Sequence, residues 1–277
     1  MASRGRGSAG EKDQNATRST RTGQVYLYRL SAQEALRAIP AGSISVLLTD
    51  PPYTTVERRS GSGHLQRWFT ESMSWAEIGK VLALARGKLR ADGVAFVMTN
   101  GDGLADALAA MEGAGFARVR TITWDKRVPG LGGGLRHRTE YVLVGYLPGS
   151  RTLTGSDLVA VQSVGPGTAG RYPTEKPEGL GRKLAAIAGV GPGDVVLDPF
   201  CGSGALLVGA KARGAAVIGC DVAPAAIRRA AGKLGVRPPA GTTSTTAKPA
   251  TRWPSRATTT QRASRRAGKR TTSTRRG

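Results

Sequence analysis

The chain has 277 residues and a formal net charge of +22, from 41 Lys and Arg residues against 19 Asp and Glu residues. Its cysteines, Cys201 and Cys220, are too few for a disulfide framework or a zinc cluster, and no stretch approaches the roughly 18 continuous apolar residues of a membrane span. The composition thus excludes a disulfide-stabilised scaffold and a membrane-spanning protein, and it predicts a cytoplasmic protein without a metal site.

Runs with strand and helix character alternate along the middle of the chain. In chain order they predict strand 24–30, helix 31–39, strand 43–50, helix 75–90, strand 93–100, helix 104–115, strands 118–126 and 139–147, helix 177–189, strand 194–200, helix 204–214, strand 215–222 and helix 224–235. Ser31 and Glu34 stand in the register of a capping box. The two strands without a helix between them are most simply antiparallel. The pattern predicts an α/β fold with a mostly parallel twisted sheet, an antiparallel edge pair and helices on both faces.

Composition divides the chain into three parts. Residues 1–23 read as a flexible arm, residues 24–235 as one ordered domain, and residues 236–277 as a tail rich in Thr, Ser, Pro and Ala. After Asp221 the chain has fourteen basic residues and no acidic one. Such a segment buries too little apolar surface to fold alone. It predicts a disordered tail that binds a polyanion such as nucleic acid, although a merely solvated tail remains the alternative.

One strand end predicts a nucleotide site. The stretch "DVVLDPFCGSG" ends a strand at Asp198 and continues into a glycine-containing turn, and the next strand ends in Asp221. Glycines allow a ligand to approach the backbone closely, and a carboxylate after the second strand is placed to accept hydrogen bonds from a ribose. A short glycine turn is explained equally well by tight packing, so this segment alone leaves both interpretations open.

A second strand end carries the tetrapeptide Asp50-Pro51-Pro52-Tyr53. A stiff proline turn would explain the prolines, but it does not explain an acid and an aromatic ring at the ligand side of a sheet. The Asp50 carboxylate and the Pro51 carbonyl could accept both N–H groups of a nucleobase amine and hold its lone pair toward an electrophile. Tyr53 would offer a ring on which a flipped base stacks.

The two motifs together resemble S-adenosylmethionine-dependent amino methyltransferases of DNA, the N-4/N-6 DNA methylase family, whose tetrad is (D/N/S)PPY and whose cofactor motif is DPFxGSG. The tetrad precedes the cofactor motif, which is similar to the beta-class order. "RYPTEKPEGL" (171–180) resembles the family's HPTxKP segment, and residues 124–145 resemble its W-K...G...R..E strand pair. The resemblance spans about 25–235 and implies a Rossmann-like methyltransferase fold.

The resemblance also implies roles for individual residues. The catalytic residues would be Asp50, Pro51, Pro52 and Tyr53. S-adenosylmethionine would be bound by Asp198, Pro199, Phe200, Gly202, Ser203, Gly204 and Asp221, with Thr174 and Lys176 lining its pocket. The implied activity is site-specific methyl transfer to an exocyclic amine, and Asp at the first tetrad position favours adenine N6. Cytosine N4, and a non-enzymatic DNA-binding protein with a degenerate methyltransferase core, are the alternatives.

Basic residues in two loops predict contacts with double-stranded DNA. They are Arg58, Arg59 and Arg67 after the tetrad, and Arg127, Arg136 and Arg138 between the antiparallel strands. Arginine on phosphate positions a protein on the duplex without reading its sequence. The sequence leaves open the recognition site, whether a cognate restriction nuclease accompanies the protein, and whether it is a monomer or a dimer. It predicts no membrane partner.

Overall fold

The computed structural model describes residues 23–53, 72–130, 135–163 and 175–239. Its strands are β1 (Val25–Tyr28), β2 (Ile44–Thr49), β3 (Leu89–Thr99), β4 (Arg118–Asp125), β5 (Thr139–Tyr146), β6 (Leu158–Ala160), β7 (Val195–Asp198) and β8 (Ala216–Cys220). Its helices are α1 (Ala32–Ala38), α2 (Trp75–Arg86), α3 (Leu104–Gly113), α4 (Glu178–Ile187), α5 (Leu207–Ala212) and α6 (Pro224–Lys233). Most of the predicted arm and tail lies outside the described residues, so the division into three parts stays a prediction.

These strands form one sheet in the order β1-β8-β7-β2-β3-β5-β4-β6. Only β5 runs against its neighbours, β3 and β4, among the pairings of the described residues. The mostly parallel sheet and the antiparallel pair β4–β5 are thus confirmed. The outermost strand beyond that pair is β6, which the sequence analysis treated as loop. It has three residues, too few to show a period of two.

Helices cover both faces of the sheet, as predicted. One buried cluster joins α1, α2 and α3 to the sheet, and the other joins α4, α5 and α6 to the opposite face. Side chains of one strand alternate between the two clusters, so that Val196 of β7 belongs to one and Leu197 to the other. All six residues of β2 are buried, as expected for a central strand covered on both sides.

Local signals in the sequence explain where the first two helices begin. Ser31 caps α1 and forms the predicted capping box with Glu34, and Ser74 forms a second one with Glu77 at α2. α2 ends at Arg86 rather than at the predicted residue 90, because Leu89 already pairs with β2 as the start of β3. None of the helices in the described ranges is long and apolar enough to cross a membrane.

The chain changes winding direction between two neighbouring strands, β2 and β7. From β2 it crosses through α2 to β3 on one side, whereas from β7 it crosses through α5 to β8 on the other side and over the opposite face. At such a switch point in an open α/β sheet, ligands bind beyond the carboxyl ends of the two neighbouring strands, here β2 and β7. Asp50 and the "DPFCGSG" turn begin at these two strand ends.

Candidate functional site

Asp50 follows β2 directly, and among the described residues only one of its two carboxylate oxygens has a partner. Its Oδ2 lies 2.8 Å from Nζ of Lys176 in the segment before α4. Its Oδ1 is buried and accepts no hydrogen bond from any described residue. Burial raises the pKa of Asp50, and the Lys176 ammonium opposes that rise. In its ionised form, a carboxylate with an open buried oxygen is a strong acceptor for an incoming N–H group.

The prolines hold the tetrad in a tight turn. The backbone N–H of Tyr53 donates to the Pro51 carbonyl oxygen at 3.0 Å, and the N–H of Met73 donates to that of Pro52 at 2.7 Å. A carbonyl oxygen has two lone pairs, so the Pro51 oxygen keeps capacity for one further donor. The turn that follows the strand is thereby fixed to the residues immediately before α2.

The Tyr53 ring is packed more tightly than the sequence analysis expected. It is only 8% exposed, and it stacks on Trp75, the first residue of α2, with ring centroids 5.6 Å apart and an interplanar angle of 15°. Burial raises the pKa of the Tyr53 hydroxyl far above its ordinary value, so the group stays neutral. One ring face is therefore taken by Trp75, and a base could contact only the other face or the ring edge.

Asp198 at the end of β7 is joined to the residue before Asp50. The Thr49 hydroxyl donates to Oδ1 of Asp198 at 2.7 Å, and the Phe200 N–H donates to the same oxygen at 3.1 Å. Asp198 is 1% exposed, and burial raises its pKa to about 7 despite these two bonds. The bond from Thr49 links the two predicted motifs through one carboxylate.

The glycine turn after Asp198 has the backbone shape that the motif predicts. Gly202 and Gly204 have φ angles of +49° and +76°. A Cβ atom on Gly202 would meet no atom of the described residues within 4 Å, whereas one on Gly204 would lie 3.0 Å from Cβ of Ala230 in α6. Asp221 after β8 accepts from the N–H groups of Gly202, at 3.0 Å, and Ala223, at 2.8 Å. Gly202 thus faces open space while Gly204 packs against a helix.

The remaining predicted cofactor residues lie around this turn. Pro199 and Ser203 are buried, and Phe200 packs against the cluster of α1, α2 and α3. The Ser203 hydroxyl donates to Glu175 at 3.1 Å, and Lys233 of α6 lies 2.8 Å from the same carboxylate. Thr174 lies outside the described residues. Glu175 is thus held at this turn, and its neighbour Lys176 pairs with Asp50, a contact that was not predicted. That Lys176 lines a cofactor pocket stays a prediction.

The predicted DNA contacts are only partly described. Arg58, Arg59 and Arg67 lie outside the described residues. Arg127 and Arg138 are more than half exposed and Arg136 is exposed, all on the loop after the carboxyl end of β4. Arg138 donates twice to Asp125, at 2.8 and 3.0 Å. These bonds, with the Arg127 backbone N–H, lower the pKa of Asp125 to about 2.

Several residues of the site were not singled out by the sequence analysis. They are Thr49, Trp75, Lys126, Glu140 and Glu175. Glu140 stands in the quoted "R..E" strand, but nothing in that pattern indicates a partner 36 residues later, at Lys176. Only the fold, which brings distant segments to one sheet edge, shows these contacts.

Comparisons with known proteins find DNA methylases. The DNA methylase family model N6_N4_Mtase matches residues 154–232, a range that includes Lys176, Asp198 and Asp221. The Type II methyltransferase M2.DpnII of Streptococcus pneumoniae is 27% identical over 213 residues, which cover 65% of this chain and 78% of that protein.

Solved structures show the same fold. The complex of M1.HpyAVI with SAM aligns with a TM-score of 0.58 and 18% identity, covering 76% of this chain and 100% of that one. The structure named PvuII DNA methyltransferase, cytosine-N4-specific, aligns with a TM-score of 0.60 and 17% identity, covering 76% of this chain and 86% of that one.

Proposed function

We propose that the chain transfers a methyl group from S-adenosylmethionine to an exocyclic amine of a base in DNA, because residues 154–232 match the DNA methylase family model and the chain is similar to a Type II methyltransferase. One observation carries the proposal. Asp50 and Asp198 stand at the carboxyl ends of neighbouring strands on either side of the switch point, and Oδ1 of Asp50 is buried without a partner among the described residues. A crevice with an open acceptor at that position suits a hydrogen-bonding substrate.

The turn after β7 fits the cofactor. Gly202 has a positive φ and open space where a side chain would stand, so a ligand can approach its backbone. Asp221 holds the Gly202 N–H through Oδ2, and it is placed after β8 where an acid can accept from ribose hydroxyls. Phe200 adds a partly buried apolar ring. When bound, S-adenosylmethionine supplies the methyl group as an electrophilic sulfonium.

Asp50 and Pro51 act on the amine. The exocyclic nitrogen of a base is a weak nucleophile because its lone pair is delocalised into the ring. If one N–H donates to Oδ1 of Asp50 and the other to the Pro51 carbonyl, the lone pair is directed away from both acceptors and out of the ring plane. Proline assists because its fixed φ sets the direction of its carbonyl and it carries no competing N–H. Positioning and electrostatics supply the rate enhancement.

Methyl transfer at this site requires no covalent bond between the enzyme and the base. The amine nitrogen forms a bond to the methyl carbon as the carbon–sulfur bond breaks, and the nitrogen then loses one proton. Asp50, whose pKa burial raises, accepts the hydrogen bond from that N–H and is the base in line to take the proton. Lys176 beside Oδ2 opposes the effect of burial and favours the ionised form of Asp50, which is the form that can take the proton.

The preferred target is adenine N6, with cytosine N4 as the second candidate. Adenine is favoured because the first tetrad residue is Asp. In the DNA amino methyltransferases that this chain resembles, Asp at that position accompanies adenine N6 as the target more often than Ser does. Cytosine is favoured by the similarity in fold to a structure named as cytosine-N4-specific. Both targets are exocyclic amines and would use the same two acceptors. Analysis of the methylated nucleosides by mass spectrometry separates them.

Methyl transfer is tested with the protein, an Asp50→Ala variant, DNA and methyl-labelled cofactor. The wild type is expected to label DNA, and the variant to bind DNA and cofactor but transfer no measurable label. Glu112→Ala is the control, because Glu112 is exposed near the end of α3, at the opposite edge of the sheet. If the wild type binds DNA but transfers no label, the non-enzymatic alternative stands and the proposal fails.

Double-stranded DNA would lie over the carboxyl edge of the sheet. Arg127, Arg136 and Arg138 are exposed on a loop at that edge, where phosphate contacts would orient the duplex toward Asp50. Replacing Arg127 and Arg136 by Gln is expected to weaken DNA binding and flatten its dependence on salt, because fewer counterions are released. Cofactor affinity should stay unchanged, and an unaltered salt slope would remove these residues from the interface.

A further inference from the structure

Four alternating charges run across the carboxyl edge of the sheet, and we call them the carboxyl-edge chain: Lys126, Glu140, Lys176 and Asp50. Nζ of Lys126 lies 3.3 Å from Oε1 of Glu140. Nζ of Lys176 lies 3.3 Å from Oε2 of Glu140 and 2.8 Å from Oδ2 of Asp50. All four side chains are at most 21% exposed. The chain connects the end of β4, the start of β5 and the segment before α4 with the catalytic tetrad.

The position of Lys176 within this chain decides which oxygen of Asp50 stays open. An ammonium has three donors and could bridge both oxygens of a single carboxylate. Here Lys176 lies between two carboxylates and contacts only Oδ2 of Asp50. Glu140 therefore draws the ammonium to one side of Asp50. The consequence is the buried Oδ1 that has no hydrogen-bond partner among the described residues, and the proposed chemistry depends on it.

Glu140 is itself held on both sides. Lys126 pairs with Oε1, and Lys176 approaches Oε2, which accepts no well-aligned hydrogen bond from the described residues. Burying a carboxylate with so few bonds is costly unless cations surround it. Burial alone would raise the pKa of Glu140, but the two lysines lower it overall, so Glu140 stays ionised at neutral pH.

We propose that Glu140 is a positioning residue for methyl transfer, which confines the Lys176 ammonium to Oδ2 of Asp50 and keeps Oδ1 open for the amine. The inference rests on the proposed function and deepens it. Glu140 does not touch the reacting atoms; it acts through Lys176. Lys126 supports it from the far end of the carboxyl-edge chain by fixing Oε1.

Removing the charge of Glu140 should change the pH dependence of kcat. In the described residues Asp50 is faced by Lys176, Glu140, Tyr53 and Asp198, which come from four different segments. Glu140 raises the pKa of Asp50 by charge repulsion, in addition to the larger effect of burial. Loss of that charge favours the ionised form of Asp50. The acidic limb of the kcat profile should therefore move to lower pH in Glu140→Gln.

The test compares Glu140→Gln and Glu140→Asp with the wild type, and uses Glu112→Gln as a control with the same chemical change at an exposed position on α3. In Glu140→Gln we expect kcat to fall about 10- to 100-fold, as misplacing a catalytic group does. Cofactor and DNA dissociation constants should change less than about threefold. Glu140→Asp restores the charge with a shorter side chain, so its acidic limb should return to the wild-type position with kcat between the other two.

Thermal unfolding of each variant excludes simple misfolding, and Lys126→Gln provides a second variant that leaves Glu140 and Lys176 in place. It should lower kcat in the same direction but less. If the wild type is active while Glu140→Gln keeps both its kcat and its acidic limb, the role of Glu140 is refuted and the proposed function stands. If the wild type transfers no methyl group to DNA, the proposed function fails and the role of Glu140 fails with it.

Discussion

Two clusters, each with two basic and two acidic side chains, lie at opposite ends of the sheet's strands. The carboxyl-edge chain has two lysines and two acids, and an amino-edge cluster has two arginines and two acids, Arg90, Asp92, Arg151 and Asp194. Both join segments that are distant in sequence. Their difference lies in how completely the acidic oxygens are bonded.

Every acidic oxygen of the amino-edge cluster is satisfied. Oδ1 of Asp194 accepts from Arg90 and Arg151, and Oδ2 accepts from Arg151 and the Gly191 N–H. Oδ1 of Asp92 accepts from Arg90, and its Oδ2 accepts from both Arg90 and Arg151. Burial would raise the pKa of Asp194, but its bonds to Arg151 and Gly191 lower it overall.

The carboxyl-edge chain leaves two buried acidic oxygens, Oδ1 of Asp50 and Oε2 of Glu140, without a hydrogen bond from the described residues. A protein that used these charges only for stability would gain by bonding them, as it does at the other edge. The amino-edge cluster, in which all acidic oxygens are bonded, contains arginines, whose planar guanidinium groups offer several donors. The carboxyl-edge chain contains lysines, whose compact ammonium groups leave acidic oxygens open. The comparison separates a cluster whose acidic oxygens are all bonded from one that leaves an acceptor open among the described residues, as the proposed function requires.

The largest effect on methyl transfer is expected when Asp50 is neutralised. Asp50→Asn keeps the shape of the side chain but removes its charge, so it is expected to lower the rate of methyl transfer by at least about 100- to 1000-fold, as the loss of one charge-stabilising group does. Lys176 still pairs with Glu140, so the free energy of unfolding should change by less than about 1 kcal/mol. Labelled-methyl transfer and chemical denaturation measure the two effects. Full activity in Asp50→Asn would remove the distinction between the clusters.

An Asp-to-Asn substitution in the amino-edge cluster should lower stability and leave the rate of methyl transfer unchanged. Asp194→Asn leaves Arg90 and Arg151 short of a partner that is 11% exposed, and it should lower the free energy of unfolding by about 2–4 kcal/mol. Its kcat per folded molecule should equal that of the wild type, because the cluster lies at the edge away from the crevice. Urea denaturation and a labelled-methyl assay below the unfolding transition check both statements. A large loss of kcat with unchanged stability would contradict the assignment.

Asp198 is hydrogen-bonded like the acids of the amino-edge cluster, but burial still raises its pKa to about 7, as it raises the pKa of Asp50. A raised carboxyl pKa means that the folded state binds the proton more tightly than the unfolded state. Stability is therefore lost as pH rises from about 4 to 7, and the cost is complete above that range. Asp198→Asn, which can still accept from Thr49 and Phe200, should stabilise the cofactor-free protein by roughly 1–3 kcal/mol at pH 8.

That gain should shrink as the pH falls toward 4, and denaturation at several pH values measures it. The same variant should bind S-adenosylmethionine more weakly at pH 8, because an ionised Asp198 at the crevice attracts the positively charged cofactor. Equal stability of the wild type and Asp198→Asn at pH 8 would show that burial of this carboxylate costs nothing.

The smallest predicted effect compares the two glycines of the turn. Gly202→Ala places a side chain at a φ of +49° but in open space, so we expect a loss of about 1 kcal/mol of stability and weaker cofactor binding. Gly204→Ala adds a contact of 3.0 Å with Ala230 and should destabilise more. Thermal unfolding and isothermal titration with the cofactor measure both properties. A stronger effect of Gly204→Ala on cofactor affinity than on stability would reverse the assignment.

The elements of the fold were largely predictable from the sequence because their signals are local. The capping box at Ser31, the apolar runs of β2 and β3, and the absence of a helix between β4 and β5 each require only neighbouring residues. β6 was missed because three residues carry no period, and it takes its conformation from pairing with β4. The end of α2 shifted because pairing with β2 draws Leu89 into β3.

The site could be predicted only as far as its motifs reach. Asp50 and Asp198 were found because each follows a strand in a recognisable tetrapeptide or turn. The bond from Thr49 to Asp198 joins residues 149 positions apart. The contacts of Lys176 with Asp50 and Glu140 depend likewise on which strands become neighbours. No local pattern specifies such contacts, since they follow from the strand order of the whole sheet.

The central claim, that Asp50 presents a base amine for methylation at the switch point, is tested most directly by nucleoside analysis. DNA is incubated with methyl-labelled cofactor and either the wild type or Asp50→Asn, digested, and separated by chromatography with mass detection. With the wild type we expect the label on an exocyclic nitrogen, N6 of adenine in the first place, and with the variant at least about 100-fold less label. Label on a ring carbon, or equal label with Asp50→Asn, would contradict the claim.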